Sequence, residues 1–135
     1  MRRRERGAIP SGAFTLLQLL IEEVSGVPFA EYIQRTVLLP LGMTRSTFRT
    51  GAEGSNNVAQ FFDNEGAPAP HNLYTASAAA SLYSTANDMA RFARAHSAGL
   101  RGEGAGRGVL SPQSIEAMRS TESSLLGTPH WGLGV

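Results

Sequence analysis

Between Ser11 and Gly26 the chain reads S-G-A-F-T-L-L-Q-L-L-I-E-E-V-S-G, with no helix breaker between its two ends. Phe14, Leu17, Ile21 and Val24 recur at the spacing of one helix face, and Leu16 and Leu20 widen the stripe. The pattern predicts a helix from about Gly12 to Ser25. Ser11 can accept a hydrogen bond from a free N–H of the first turn, and Gly26 can take the left-handed conformation that ends helices. An apolar face this wide predicts burial on most sides.

The rest of the chain is punctuated in the same way. A second helix is expected after Pro28, whose fixed φ suits a first-turn position, with a stripe of Phe29, Tyr32, Ile33 and Val37. Pro40 breaks that helix and Gly42 turns the chain. Residues 44–80 read as a hairpin and loop crossing. Within it Val58–Phe62 is a short strand candidate, D-N-E-G at 63–66 has turn chemistry, and A-P-A-P-H-N cannot sit in a central strand. Helical order returns in Y-S-T-A-N-D-M-A-R-F-A-R-A-H, where Thr85 can cap and Asp88 favours the first-turn dipole. Met89, Phe92, Ala93 and His96 mark the expected inner face, and Gly99 the stop. Residues 99–109 read as a flexible loop without the strand or the Gly-Lys-Ser/Thr ending of a phosphate cradle. Ser111 then caps a short helix with Pro112 in first place.

Several function classes fall to composition. Net charge is +1, which gives no global field for nucleic acid or a membrane surface. R-R-R-E-R, in a basic leader over residues 1–10, lacks the interleaved aromatics of a nucleic-acid arm and reads as a solvated tail. Gln18 interrupts the apolar run and Glu22-Glu23 follow it, so an amphipathic helix explains the segment better than a signal peptide. No run reaches the roughly 18 apolar residues of a membrane span. With no Cys, thiolate nucleophiles and thiolate metal sites are excluded within these residues. All twelve basic residues are Arg, so no lysine is present to act as a base or form a Schiff base.

Chemistry-bearing patterns are sparse. His71, His96 and His130 are far apart, and no H-E-x-x-H or calcium-loop spacing occurs, so neither metal nor cofactor is expected. His96, on a helix face, reads as packed or half-exposed. G-x-S-x-G is absent. A triad assembled in space from Ser11 with His71 or His130 would make an unrelated small serine hydrolase.

Four segments in order resemble one family. G-A-F-T-L-L-Q-L-L-I-E-E-V-S-G-V-P-F-A-E-Y-I-Q-R-T-V-L-L-P-L-G-M-T-R-S-T-F is similar to the helix pair of the serine β-lactamase-related family. That family groups class C β-lactamases, D-alanyl-D-alanine peptidases and penicillin-binding-protein-like esterases. N-L-Y-T-A-S-A-A-A-S-L-Y-S-T-A-N-D-M-A-R-F resembles its A-A-G-G-L-Y-S-T-A-x-D-L-A-R-F segment, with Ser81 in place of a customary Gly. G-V-L-S-P-Q-S-I-E-A-M resembles its L-S-P-E-x-x-x-x-M, and H-W-G-L-G-V its Y-G-L-G-W.

The resemblance implies hydrolysis of an amide or ester through an acyl-serine. It also implies a nucleophile in Ser-x-x-Lys ahead of the first helix, and a third motif after the Y-G-L-G-W strand. The second motif, Tyr-x-Asn, falls on Ile9-Pro10-Ser11. Ile9 therefore stands where a tyrosine would move a proton, and it has no titratable group. No catalytic residue of the family is intact here; Ile9 and Ser11 are only weak second-motif positions. The implied compartment is a bacterial periplasm or cytoplasm.

The expected fold is mainly α with a short β-hairpin. It is a partial β-lactamase/transpeptidase-like (α+β) fold in which residues 11–135 form the helical region without most of the sheet. The expected function is that of an inactive fragment of a serine hydrolase. The alternative is a binding or assembly module that dimerises or complements a separate chain through apolar helix faces.

Overall fold

The computed structural model describes residues 11–48, 57–70 and 76–120. In order they form α1 (Ser11–Ser25), α2 (Phe29–Ile33), a π-helical continuation (Gln34–Leu38), β1 (Phe61–Phe62), β2 (Pro68–Ala69), α3 (Ser77–Ala80), α4 (Ala86–Ala95) and α5 (Pro112–Arg119). The fold is mainly α with one hairpin. Two compact units share these elements, one from Met1–Gln34 and Thr47–Tyr83, the other from Arg35–Ser46 and Ser84–Val135.

In the first unit α1 packs on α2 and α3. Gly26 ends α1 at φ 71°, its N–H donating to the Glu22 carbonyl. Pro28 precedes α2 as its cap residue rather than occupying the first turn, and it has no side chain to accept a bond. Glu22 supplies the acceptor from α1: its Oε1 takes the Phe29 N–H at 2.8 Å. One turn earlier, Gln18 Oε1 accepts from the Ala78 N–H of α3 at 3.1 Å. Phe29 is buried and meets the Phe48 ring edge-on, with centroids 5.2 Å apart.

The stripe expected to bury α1 does not do so. Leu16 is 68 % exposed, Leu20 57 % and Val24 80 %. The reason is one of size. α2 and α3 have only five and four residues, too short to cover an apolar band that covers so much of a fifteen-residue helix.

The strand expected over Val58–Phe62 is reduced to Phe61–Phe62, paired antiparallel with Pro68–Ala69. A two-stranded sheet has only edges, so Pro68 loses no ladder bond it needs. The turn forms as expected: Asp63 Oδ1 accepts from the Glu65 and Ala67 N–H groups, and Gly66 sits at φ 82°. Thr47 and Tyr83 exchange backbone hydrogen bonds in an isolated antiparallel bridge.

In the second unit the π-helical residues lead into the Pro40 break, and Gly42 turns at φ 72°. Met43 returns its N–H to the Leu38 carbonyl, and both side chains are buried. Thr85 caps α4, its hydroxyl accepting from the Asp88 N–H at 3.3 Å. Ser111 caps α5, accepting from Ser114, with Pro112 at the first position.

The inner face of α4 is not the expected one. Met89, Phe92 and Ala93 are exposed, while Asp88 and Ala95 are buried. A buried carboxylate turned the helix, and hydrophobic spacing does not register that. The helix also stops at Ala95, with His96 as its cap, before Gly99 is reached.

Candidate functional site

Of the second-motif positions, Ile9 lies outside the described residues, and Ser11 already belongs to α1, a residue earlier than the expected start. His71, His130 and the H-W-G-L-G-V segment also lie outside them. Among the described residues no group of three or more His, Asp or Glu is placed to hold a metal ion. No single helix among them is long and apolar enough to cross a membrane.

The structure does bring together a serine–carboxylate cluster that sequence reasoning missed. Asp88, in the first turn of α4, is wholly buried. Its Oδ2 accepts from the Arg45 N–H at 2.8 Å and from Ser46 Oγ at 2.9 Å. Its Oδ1 accepts from Arg91 Nη1 at 2.6 Å. Ser46 and Ser84 hydroxyls lie 2.8 Å apart. Since the Ser46 proton goes to the carboxylate, Ser84 is the donor of that pair.

Burial raises the Asp88 pKa, but the hydrogen bonds from Ser46, the Arg45 N–H and Arg91, with the Arg91 charge, outweigh it and hold the carboxyl below its ordinary 3.8. Asp88 is wholly buried and its oxygens are already occupied by these donors. Ser46 is itself buried, out of reach of a substrate. The cluster is therefore a clasp holding the start of α4 to the turn at 45–46. No local signal could have exposed it, because its partners are 42 and 43 residues apart in the chain.

A second network covers the other end of α4. Gly106 donates to the Ala95 carbonyl at 2.6 Å, and Arg107 Nη2 to the Arg94 carbonyl at 3.2 Å. Glu103 Oε2 accepts from the Arg101 N–H. Its pKa is lowered by its own and the Arg101 backbone N–H groups, against some desolvation, with help from the Arg107 and Arg94 charges. His96 is half-buried, its Nδ1 3.0 Å from the Phe92 carbonyl and its ring edge-on to Phe92. It is a packed histidine, as its helical position implied.

Comparison with known proteins places this architecture. A family model described as Beta-lactamase matches residues 11–135. An uncharacterized protein of Mycobacterium tuberculosis is 30% identical over 140 residues, which covers 90% of this chain and 34% of that protein. Among solved structures, the octameric penicillin-binding protein homologue from Pyrococcus abyssi matches at 32% identity and a TM-score of 0.67. That match covers 90% of this chain and 27% of the other. A beta-lactamase/D-alanine carboxypeptidase from Pseudomonas syringae matches at 20% identity and a TM-score of 0.63, over 81% of this chain and 30% of its own, a likeness of fold alone. The chain thus spans about a third of the length of the curated relatives it matches. These matches replace the reading of an unrelated small hydrolase. The chain belongs to the Beta-lactamase family.

Proposed function

We propose that this chain is the helical region of a β-lactamase-like serine hydrolase, and that these 135 residues alone do not turn over substrate. The whole protein would hydrolyse an amide or ester through an acyl-serine. The observation that carries the reading is the lack of any lysine among the twelve basic residues. Acyl transfer in this family pairs its serine with a lysine in Ser-x-x-Lys. The clasp at Asp88 does not substitute for it, because Asp88 is wholly buried and its oxygens are taken by Ser46, the Arg45 N–H and Arg91.

Nitrocefin and a p-nitrophenyl ester offered to the purified chain test this. Hydrolysis at the buffer rate is expected, with no mass increase on any serine after exposure to a β-lactam. Turnover abolished by a serine-directed acylating agent would overturn the proposal.

A second reading rests on the exposed stripe of α1, where Leu16, Leu20 and Val24 follow one another at four-residue spacing. Such a surface favours association, either with another copy or with a separate chain carrying the rest of the fold. The octameric state of the Pyrococcus abyssi homologue supports self-association as one form of it.

A further inference from the structure

We infer that the turn at 99–102, with the arginines around it, is a docking surface for an anionic lipid bilayer, and that Leu100 enters the headgroup layer. The net charge of +1 hides an uneven distribution. The described residues of the first unit hold five carboxylates and no arginine, while those of the second hold seven arginines against Asp88, Glu103 and Glu116. Four of the seven gather at the C-terminal end of α4. Arg94 lies in its last turn, Arg107 Nη2 donates to the Arg94 carbonyl, and Arg119 Nη1 donates to the His96 carbonyl. Arg101 stands in the turn that starts at Gly99.

The turn presents its two central residues to solvent. Gly102 N–H donates to the Gly99 carbonyl at 3.2 Å, Gly99 N–H to the Glu103 carbonyl at 2.7 Å, and Arg101 N–H to the Glu103 carboxylate. Arg107 holds the base of the turn, its Nη1 donating to the Glu103 and Gly104 carbonyls. At the apex Leu100 is fully exposed, more so than any other large hydrophobic side chain among the described residues. Arg101 beside it and Arg94 are exposed, and neither guanidinium makes a hydrogen bond to another described residue.

Three points select a bilayer as the occupant. Guanidinium groups attract anionic headgroups, each adding on the order of a fivefold gain near a charged surface. A leucine at the same apex gains from acyl chains and gains nothing from free phosphate or a hydrophilic polyanion. The turn is already closed by its own hydrogen bonds, so docking orders little further chain. Attachment of this kind is peripheral and needs no helix to cross the membrane. It is independent of acyl-serine chemistry and stands whether or not the chain is catalytically silent.

The test is co-sedimentation of the full chain with mixed phosphatidylglycerol–phosphatidylcholine vesicles, with pure phosphatidylcholine as the uncharged control. Binding to the charged vesicles is expected to weaken as salt rises and to exceed binding to the control at least about tenfold. Arg94→Gln with Arg101→Gln, and separately Leu100→Ser, are each expected to lower vesicle binding about tenfold. Arg94→Lys with Arg101→Lys keeps the charge and is expected to keep the binding. All these chains are expected to retain the circular dichroism spectrum of the unaltered protein, because the altered side chains hold no bond in the fold. Equal binding to both vesicle types overturns the proposal. So does binding that Leu16→Glu with Leu20→Glu abolishes while the arginine and Leu100 changes leave it intact, since α1 would then be the lipid-facing element. Retention on heparin without vesicle binding would mark a polyanion site and overturns it too.

Discussion

Asp88 is wholly buried yet charged, and each of its oxygens is spoken for by a different part of the second unit. Such a group is costly to disturb, because the buried Ser46 hydroxyl and the buried Asp88 side chain lose partners where water does not reach, although Arg91 is half exposed. Asp88→Asn keeps the shape but offers one acceptor oxygen where three donors converge. A melting temperature several degrees lower at pH 7 is expected. The pH dependence follows from the direction of its shift. The carboxyl ionises more readily folded than unfolded, so its contribution is complete above the ordinary 3.8 and is lost as pH falls below that value. Thermal melts between pH 7 and pH 2.5 are therefore expected to show an acid loss that is smaller in Asp88→Asn. Equal losses in both chains would show that Asp88 does not drive it.

At the scale of elements, α4 and α5 each begin with a side-chain cap. Thr85→Ala removes the acceptor for the Asp88 N–H and is expected to cost about 1 kcal/mol, read as a lower urea midpoint at unchanged slope. These caps and the turns were legible in the sequence, whereas Ser11 and Pro28 each stand one position from the place expected for them. Thr85, Ser111, Pro112, Gly26, Gly42 and Asp63 all act on backbone within four residues, so their side chains or φ preferences announce them. What the sequence did not disclose needs distance or area. The Asp88 clasp joins residues more than forty positions apart. The inner face of α4 followed that carboxylate instead of Met89 and Phe92, and the exposure of α1 followed from the shortness of α2 and α3. Nothing in Q-R-T-V-L marks it as π-helical. Of the candidate site, Ile9 and Ser11 were visible only through family resemblance, since neither residue type points to chemistry by itself.

For the whole molecule, the open question is what an uncovered α1 does in solution. Replacing Leu16 and Leu20 together by Glu puts two charges on the exposed stripe without touching Gln18 or Glu22. Apolar-dye fluorescence is expected to fall, and the mass from light scattering to drop to that of one chain. An unaltered mass and dye signal would mean that the stripe drives no association. The bond from Phe29 N–H to the Glu22 carboxylate sets an order of events as the chain folds. The helical run Phe29–Leu38 is too short to be stable unaided in water, and the group that steadies its first turn belongs to the preceding helix. α2 therefore matures only on a completed α1, and the two are gained or lost as one cooperative step.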